Sequence, residues 1–422
     1  MRILVLSNLY PPHYIGGYEL ACATVTNALR ARSHVVHVLT SDHGIKPGGQ
    51  VPAENGVERR LRIHGFFGHP WLGIGPLRAL EFHNNDVLRE TLRRFKPEVC
   101  HVYNLGGISK SLTMTLQREG LPVAYWIMDH WIARSLAADV WLDWWNRRAS
   151  SVAQRGLRAV WTLAGCRRRW DGRAPTNPLR HLRFQRIVFC SRSLREFTAA
   201  KGYDVAHGDV IYPSVNIARF CGEPSPSSNP MRRLLYAGRL TEDKGVMTTL
   251  RALARIRDRF RGTLRLCGDG EADYRAKLEA FIREQRLAVE IFSAPPEQMP
   301  QVYRDHDALL FPSEWPEPFG LTRFEAMACG RPVISTTTGA GEETLREGDN
   351  ALTYAAGDAD ALSLAILRLQ DDAELRVRLA RNGQEDVRRR YAEPIIVSQV
   401  ENYLRETVAN WKPAPPSDYT AP

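Results

Sequence analysis

Two glutamates, Glu317 and Glu325, bracket a Pro-Phe-Gly turn in the C-terminal half of the sequence. An apolar run that predicts a strand over Ala308–Phe311 precedes both glutamates, and Glu325 lies within a pattern that predicts a helix over Leu321–Ala328. The carboxyl end of a strand in a parallel sheet is where α/β proteins bind ligands, and a helix N-terminus presents free N–H groups to an anion. The two carboxylates are therefore candidate ligand-binding groups.

A structural interpretation of the same residues is also open. Thr322 and Glu325 have the spacing of a capping box, in which the glutamate side chain only closes the helix N-terminus. Glu317 would then be an ordinary solvated carboxylate in a loop.

Two cations form a second candidate group. Gly238 follows a predicted strand over Leu234–Ala237, and Arg239 and Lys244 come next in the chain. A guanidinium binds two oxygens of a diphosphate at once, and an ammonium adds a point charge. The alternative is that both residues are solvated surface cations.

Glycines also follow two other predicted strands. Gly16 and Gly17 come after the first strand, Ile3–Ser7, and Gly268 ends the strand Thr263–Cys267. A glycine allows the backbone to approach a ligand closely, although a tight turn uses the same residue.

The string E-P-F-G-L-T-x-x-E-A-M-A-C-G-x-P-V runs from Glu317 to Val333. It resembles the E-x7-E signature of retaining GT-B glycosyltransferases, specifically glycosyltransferase family 4 (glycosyl transferases group 1). The resemblance extends over nearly the whole chain and is denser after residue 186. It implies an α/β protein of the GT-B fold, with two Rossmann-like doubly wound domains facing a deep cleft. The implied activity is retaining transfer of a hexosyl unit from a nucleoside-diphosphate sugar to a hydroxyl acceptor, in cell-surface polysaccharide or glycolipid synthesis.

Site residues follow from this resemblance position by position. In the family, the first glutamate contacts the donor sugar near its anomeric end, the second holds the ribose hydroxyls, and the two cations lie at the donor diphosphate. The catalytic residues implied in this sequence are Glu317, Arg239, Lys244, Asp129 and His130. The donor-binding residues implied are Gly16, Gly17, Gly238, Gly268, Phe319, Gly320, Leu321, Thr322 and Glu325.

Two further expectations concern the donor site. The segment Phe319–Leu321 would line the sugar and supply backbone donors, and Glu343, in a loop that ends at Gly348, would lie near the sugar. No cofactor and no metal are expected, because two fixed cations and helix N-terminal amides can stabilise the charge on a departing diphosphate. The sequence shows no D-x-D motif or histidine cluster where a phosphate-bound metal would need it.

One position departs from the family pattern. Many relatives carry a His-Asp pair where an N-terminal-domain strand ends, with the histidine near the reacting sugar. In this sequence the strand Val123–Met128 is followed by Asp129 and His130. Aligning the aspartate places Met128 at the histidine position, so that either His130 takes that role or the role is absent.

Two other functions fit the same motifs. A GT-B nucleotide-sugar epimerase would release nucleotide without an acceptor sugar. A catalytically silent, membrane-associated scaffold would keep the fold after losing turnover, a possibility that Met128 raises.

The 422 residues exceed one ordinary domain, and apolar strand patterns alternate with helical patterns throughout, as in parallel α/β sheets. We expect an acceptor-binding domain over 1–195 and a nucleotide-sugar-binding domain over 205–395, with the turn-rich stretch 222–230 near the break. The second set of strands is expected to begin at 186–191. A C-terminal helix within 396–422 would pack back on the N-terminal domain before a Pro-rich tail.

A basic, tryptophan-rich segment over 131–185 lies within the first domain. Between residues 131 and 195 there are 14 arginines, no lysine and three aspartates, and the segment holds six of the ten tryptophans. One helical stripe is predicted to contain Trp141, Trp145, Ala149, Val152, Gly156 and Val160. Such composition suits an anionic membrane surface or a lipid-linked, phosphate-bearing acceptor. The alternative is an amphipathic helix whose stripe packs on its own domain. No nucleic-acid partner is expected, because no reading motif is present.

Cysteines and the N-terminus bear on location. Seven cysteines, an odd number with no C-x-x-C pair, argue against a disulfide framework and a zinc site. Only four apolar residues follow Arg2, fewer than a secretory signal needs. We therefore expect a cytoplasmic protein. The basic segment suggests the alternative of a peripheral position at the inner face of the membrane.

Overall fold

The structure is a computed structural model, and it describes residues 1–45, 55–135, 139–146, 151–178, 181–222 and 231–413. Ala149 of the predicted stripe, residues 223–230 of the turn-rich stretch and the end of the predicted tail lie outside these ranges.

The chain divides into two compact units. The first unit contains Met1–Cys190, Leu194–Ile211 and the stretch from Val397 onward, and the second contains Ser191–Ser193 and Tyr212–Ile396. Each unit has its own parallel sheet with helices, as expected for strands that are apolar on both faces.

The described part of the first unit has a sheet of seven parallel strands. These are β1 (Arg2–Leu6), β2 (Val35–Ser41), β3 (Val57–Leu61), β4 (Val99–Val102), β5 (Val123–Ile127), β6 (Ile187–Phe189) and β7 (Asp209–Val210). Their order across the sheet is β3-β2-β1-β4-β5-β6-β7. The residues of β1, β4 and β5 that follow the first position are buried, which makes these strands the centre of the core.

Helices of the N-terminal half lie between these strands. They are α1 (Gly17–Ala31), α2 (Ile74–Phe95), α3 (Ser111–Arg118), α4 (Trp131–Ser135), α5 (Val140–Asn146), α6 (Val152–Leu163), α7 (Cys166–Asp171) and α8 (Arg192–Ala200). In the part of the chain that the structure describes, no helix has the length and apolar content to span a bilayer.

The second unit has a sheet of six parallel strands within the described residues. They are β8 (Arg233–Ala237), β9 (Thr263–Cys267), β10 (Val289–Phe292), β11 (Ala308–Phe311), β12 (Val333–Thr336) and β13 (Leu352–Tyr354), in the order β10-β9-β8-β11-β12-β13. The helices are α9 (Ile217–Phe220), α10 (Val246–Ile256), α11 (Ala272–Glu284), α12 (Met299–Arg304), α13 (Leu321–Ala328), α14 (Gly341–Thr344), α15 (Ala359–Asp371), α16 (Ala373–Asp386) and α17 (Glu393–Ala409). The last of these continues into the first unit.

The expectation that the second set of strands begins at residues 186–191 is wrong. Strands β6 and β7 are the last two strands of the first sheet, where Tyr125 of β5 pairs with Ile187, and Val188 pairs with Asp209. An apolar run predicts a strand but carries no information about its partner, because parallel pairing is decided by distant parts of the chain.

The sequence has an apolar helical pattern over Ala359–Arg381, but the structure has two helices there, α15 and α16. Asp372 ends α15 with an extended backbone, and its side chain accepts a hydrogen bond from the N–H of Leu375 to cap α16. Aspartate is a favoured N-cap residue, and the apolar pattern on both sides of it concealed the break.

Two elements of the first unit were not predicted because polar residues occupy their buried positions. In α2, the side chain of buried Asn84 bonds the backbone N–H and carbonyl of Arg62. In β3, buried Arg59 donates to the carbonyl oxygen of Tyr10 at 2.9 Å. Both side chains interrupt the apolar period on which a sequence prediction depends.

Asp307 should contribute to the stability of the second unit. The buried carboxylate accepts hydrogen bonds from the backbone N–H groups of Arg232 and Arg233, both at 2.8 Å. Asp307→Ala leaves these donors without the carboxylate, so we expect the free energy of unfolding in urea to fall by about 2 kcal/mol. Asp305→Ala, at an exposed carboxylate two residues earlier, is the control and should change it by less than about 0.5 kcal/mol. Equal effects would contradict this assignment.

Candidate active site

Glycines allow the loops after β8 and β9 to lie against each other. Gly268 has φ +156°, and a Cβ placed there would lie 1.8 Å from the carbonyl oxygen of Gly238. The N–H of Gly238 donates to Cys267 at 3.0 Å, and that of Leu240 donates to Asp269 at 2.8 Å. The predicted glycines therefore lie side by side at the carboxyl ends of the two strands.

The loop after β8 also packs against the loop after β11. Gly245 has φ +66°, and a Cβ there would lie 2.0 Å from the carbonyl oxygen of Pro312. The carbonyl of Asp243 accepts hydrogen bonds from the N–H groups of Glu314 and Trp315 at 2.9 and 3.1 Å. These contacts fix the short turn that carries the predicted lysine.

Lys244 and Glu317 form an ion pair at this junction. The Lys244 ammonium donates to Oε1 of Glu317 at 2.5 Å, and the hydroxyl of Ser313 donates to the same oxygen at 2.7 Å. The two charged side chains are only 15% and 11% exposed. Because water screens them little, each charge acts on its surroundings more strongly than an exposed pair would.

The loop after β12 holds the backbone of Glu317. Gly339 has φ +61°, and a Cβ there would lie 2.2 Å from the Glu317 carbonyl oxygen. The same oxygen accepts a hydrogen bond from the N–H of Ala340 at 2.9 Å. Loops from four neighbouring strands thus converge on one place at the carboxyl edge of the second sheet.

Arg239 lies in the same charged region but is exposed. The hydroxyl of Tyr236 donates to the Arg239 carbonyl oxygen at 2.6 Å. Burial and then the Glu317 carboxylate raise the pKa of this tyrosine, while the Arg239 guanidinium lowers it, so that both charges act on one hydroxyl. The guanidinium forms no ion pair with the described residues and is open to an anion.

The capping-box interpretation of Glu325 is wrong. Gly320, at φ +77°, is the N-cap of α13, and the helix has no side-chain cap. The carboxylate of Glu325 instead accepts a hydrogen bond from the hydroxyl of Tyr303 at 2.8 Å, and burial raises its pKa. Leu321 and Thr322, the other predicted donor-binding residues here, form the first turn of α13 and are half-buried.

The ring of Phe319 belongs to an aromatic cluster. It is 4% exposed and stacks on Phe324 with ring centroids 4.4 Å apart, and Tyr391 and Tyr212 lie at 5.6 and 5.8 Å. Any contact that Phe319 makes with a sugar would therefore come from its backbone rather than from its side chain.

A third cation lies behind the turn. Arg323 is fully buried, donates to the carbonyl oxygen of Phe319, and places its guanidinium carbon 4.6 Å from the centre of the Phe311 ring. Burial lowers its pKa to about 10, and the nearby Glu317 carboxylate opposes that shift. The Glu317 carboxylate therefore interacts electrostatically with Arg323 as well as with Lys244.

Glu343 is held by residues that follow strands β6 and β7. Its carboxylate accepts hydrogen bonds from the Tyr212 hydroxyl at 2.9 Å and from the Arg192 guanidinium and the Ser193 N–H, both at 3.1 Å. The Glu343 carboxylate therefore holds the backbone at Ser193 in place. The expected position of Glu343 near the sugar stays a prediction.

The glycine loop of the first unit begins helix α1. Gly16 is its N-cap and Gly17 its first residue, and the carboxylate of Glu19 accepts a hydrogen bond from the Gly16 N–H at 3.0 Å. A Cβ at Gly16 would meet nothing within 4 Å, so the loop leaves open space beside it.

Asp129 and His130 follow β5 in the first unit. Asp129 accepts hydrogen bonds from the Trp131 N–H at 2.8 Å and from the Asn104 side chain at 3.1 Å. Burial above all, with a contribution from Glu19, raises its pKa to about 7. His130 is buried, with its ring edge-on to Phe197 at 4.6 Å.

Residues 223–386 match the family model described as glycosyl transferases group 1. This range contains every residue of the candidate site in the second unit, from Gly238 to Gly339. This region of the chain is therefore similar to the glycosyl transferases group 1.

Curated relatives extend the likeness. The chain is 27% identical over 415 residues to glycogen synthase from Mycobacterium tuberculosis, which covers 90% of this chain and 89% of the relative. It is 32% identical over 190 residues to D-inositol 3-phosphate glycosyltransferase from Corynebacterium jeikeium, which covers 40% of this chain and 44% of the relative.

Solved structures show the same fold. HepE from Anabaena, in complex with UDP-glucose, superposes with a TM-score of 0.65 at 20% identity, covering 96% of this chain and 99% of that one. The fold of this chain is GT-B, as the sequence resemblance implied.

Three residues that position the candidate site were not identified from the sequence. Ser313 lies four residues before Glu317 and two residues after the end of β11, and Arg323 occupies an unspecified position inside the E-x7-E string. Tyr303 lies on α12, outside any motif, so its contact with Glu325 required the fold. A strand-end serine close to a motif carboxylate was the one available signal.

Gly268 provides a test of the loop packing. Gly268→Ala places a Cβ against the Gly238 carbonyl oxygen. This oxygen belongs to the backbone, which cannot move aside as the end of a flexible side chain can. We expect a loss of unfolding free energy on the order of 2 kcal/mol, measured in urea. Gly75→Ala, at an exposed glycine with nothing within 4 Å, is the control and should have little effect. A neutral Gly268→Ala would show that the two loops do not touch.

Proposed function

We propose that this protein is a retaining hexosyltransferase that uses a nucleoside-diphosphate sugar and no metal ion. The observation that carries the proposal is the Lys244–Glu317 ion pair, placed at the carboxyl edge of a Rossmann-like sheet beside the open guanidinium of Arg239. Cations at this edge suit a diphosphate, because parallel α/β sheets bind nucleotides there.

The two cations would stabilise the leaving group. Cleavage of the bond between the sugar C1 and the β-phosphate oxygen leaves negative charge on the diphosphate, while the sugar becomes oxocarbenium-like. Arg239 can bind two phosphate oxygens, and Lys244 adds a point charge that its surroundings already hold in position. Groups fixed before the reaction need little reorganisation, which is the main source of electrostatic catalysis.

The two carboxylates would hold the donor by its hydroxyl groups. Glu317 keeps one oxygen on Lys244 and Ser313, so its other oxygen remains for the sugar. Glu325 has one oxygen on Tyr303, which leaves the second for the ribose. These roles rest on the resemblance of the E-x7-E string, and the geometry supports them by leaving an acceptor oxygen on each residue.

The transfer step balances without a further reagent. The acceptor hydroxyl attacks C1 from the face that the diphosphate leaves, and its proton passes to the departing β-phosphate oxygen. One C–O bond breaks, one forms on the same face, and the products are the glycoside and the nucleoside diphosphate. Asp129 and His130 are proposed, from the resemblance alone, to orient the sugar or the acceptor.

The donor and the setting are proposals from likeness and composition. HepE binds UDP-glucose, so UDP-glucose is the first donor to test, followed by GDP-, ADP- and dTDP-sugars. We propose an acceptor in cell-surface polysaccharide or glycolipid synthesis, with the protein in the cytoplasm and in peripheral contact with the inner face of an anionic membrane. The basic segment supports that placement.

Nucleotide release tests the two cations. Lys244→Ala and Arg239→Ala should each lower the rate of nucleotide release from the accepted donor by about a hundred-fold, since each removes a charge that stabilises the leaving group. Arg255→Ala, at an exposed arginine paired with Asp360 on other helices, is the control and should retain the rate. Retained rates in both site variants would overturn the proposal.

The same assay separates the alternative functions. A transferase needs an acceptor for full turnover and forms a glycoside, whereas an epimerase releases nucleotide or a changed sugar without one. No release from any donor in the panel, together with no donor-induced thermal shift, would favour a catalytically silent scaffold.

Chelation tests metal independence. If Arg239 and Lys244 supply the charge that magnesium supplies elsewhere, turnover measured with excess EDTA should equal turnover with added Mg²⁺. A loss of activity in EDTA that Mg²⁺ restores would contradict this part of the proposal.

A further inference from the structure

Helix α6 is an amphipathic helix with its apolar side outward. None of its 12 residues, Val152 to Leu163, is buried. Trp161 faces the body of the first unit, with its ring centroid 5.0 Å from that of Trp170 and 5.8 Å from that of Trp144. The inward side of the helix is therefore known from these contacts.

The outward side is apolar. Leu163, Val152 and Val160 are 89%, 74% and 59% exposed. At 100° per residue they lie within one arc with Gly156, on the side of the helix away from Trp161. A helix on the surface of a globular protein normally turns such a stripe toward the core, so α6 has the reverse arrangement.

This finding corrects the predicted stripe. Trp141 and Trp145 lie on α5 and are buried, whereas Val152, Gly156 and Val160 lie on α6 and are exposed. The first half of the stripe is core, in agreement with the packing alternative, and the second half faces solvent.

The chain on and next to α6 is rich in arginine. The sequence from 144 to 170 has no acidic residue, and five of its arginines lie among the described residues. Arg155, Arg168 and Arg169 are exposed and form no ion pair with any described residue. The surface thus combines an apolar stripe with three exposed arginines that form no ion pair with a described acidic side chain.

We propose that α6 docks the protein on a bilayer surface that contains anionic phospholipid. Val152, Val160 and Leu163 would enter the boundary between headgroups and acyl chains, while the arginines contact lipid phosphates. The inference builds on the proposed transfer to a glycolipid or other cell-surface acceptor, which such docking would bring within reach.

Charge complementarity favours anionic lipid over the other partners that an apolar helix face could bind. A second copy of the chain would place one arginine-rich surface against another, and like charges in close contact are unfavourable. Anionic lipid complements both the apolar stripe and the cations. Isolated apolar residues are common on protein surfaces and imply no partner, but three highly exposed ones on a single helix face form a patch.

Vesicle co-sedimentation of the full chain tests the proposal. The probes are vesicles of phosphatidylcholine alone and of phosphatidylcholine mixed with phosphatidylglycerol in equal parts. The protein should bind the mixed vesicles and bind phosphatidylcholine at least ten-fold more weakly, since each arginine near an anionic surface strengthens binding by roughly five-fold. Added salt should weaken binding by screening.

Variants locate the surface. The double variant V160E/L163E should bind the mixed vesicles at least ten-fold more weakly, and R168E/R169E should lose the preference for anionic lipid. L364E/V377E is the matched control, because these apolar residues of the second unit are 66% and 47% exposed on helices without this charge pattern. It should bind as the unchanged protein does. Thermal unfolding confirms that each variant is folded.

Three outcomes would overturn the proposal. They are no binding to the mixed vesicles, equal binding by V160E/L163E, and a dimer in lipid-free solution that V160E/L163E dissociates while vesicles bind nothing. Failure of the proposed enzyme function is separable, because Lys244→Ala should lose nucleotide release yet bind vesicles normally. V160E/L163E should in turn keep donor-induced thermal shifts.

Discussion

Contact between backbones at glycine positions determines the geometry of the second unit's carboxyl edge. Gly268 lies against the carbonyl of Gly238, Gly245 against that of Pro312, and Gly339 against that of Glu317. Each contact is closer than any side chain would permit, and each glycine has a positive φ that other residues adopt only with strain. Loops after four strands are thereby joined into one rigid surface, and the charged side chains they carry have little freedom to move apart.

The ion pair between Lys244 and Glu317 depends on that rigidity. Taking two charges largely out of water costs free energy, which is offset only if the geometry is good and the remaining oxygens are bonded. Ser313 supplies one such bond, and the fixed backbone supplies the geometry. In the proposed reaction, Lys244 would contact the diphosphate and Glu317 would contact the sugar. The same loops would therefore position both groups that the scissile bond joins.

Local sequence patterns were sufficient to predict part of the fold and part of the candidate site. The strands β8 to β12, and the position of the candidate site at strand ends, could be predicted because the apolar runs there are regular and the E-x7-E string is dense. Sheet membership of β6 and β7 could not, since parallel pairing is a long-range property. The roles of Tyr303 and Arg323 were also inaccessible, because one lies outside the motif and the other is a buried cation that no period reveals.

The aromatic rings beneath α6 have a spectroscopic consequence. Trp161 lies with its ring centroid 5.0 Å from that of Trp170 and 6.4 Å from that of Trp145, and indoles this close exchange excitation energy and couple in near-ultraviolet circular dichroism. Trp161 belongs to α6, whereas Trp145 and Trp170 belong to α5 and α7. The circular dichroism of the cluster therefore depends on the position of α6 relative to these two helices. The chain therefore carries a built-in reporter of any movement of α6, without an added label.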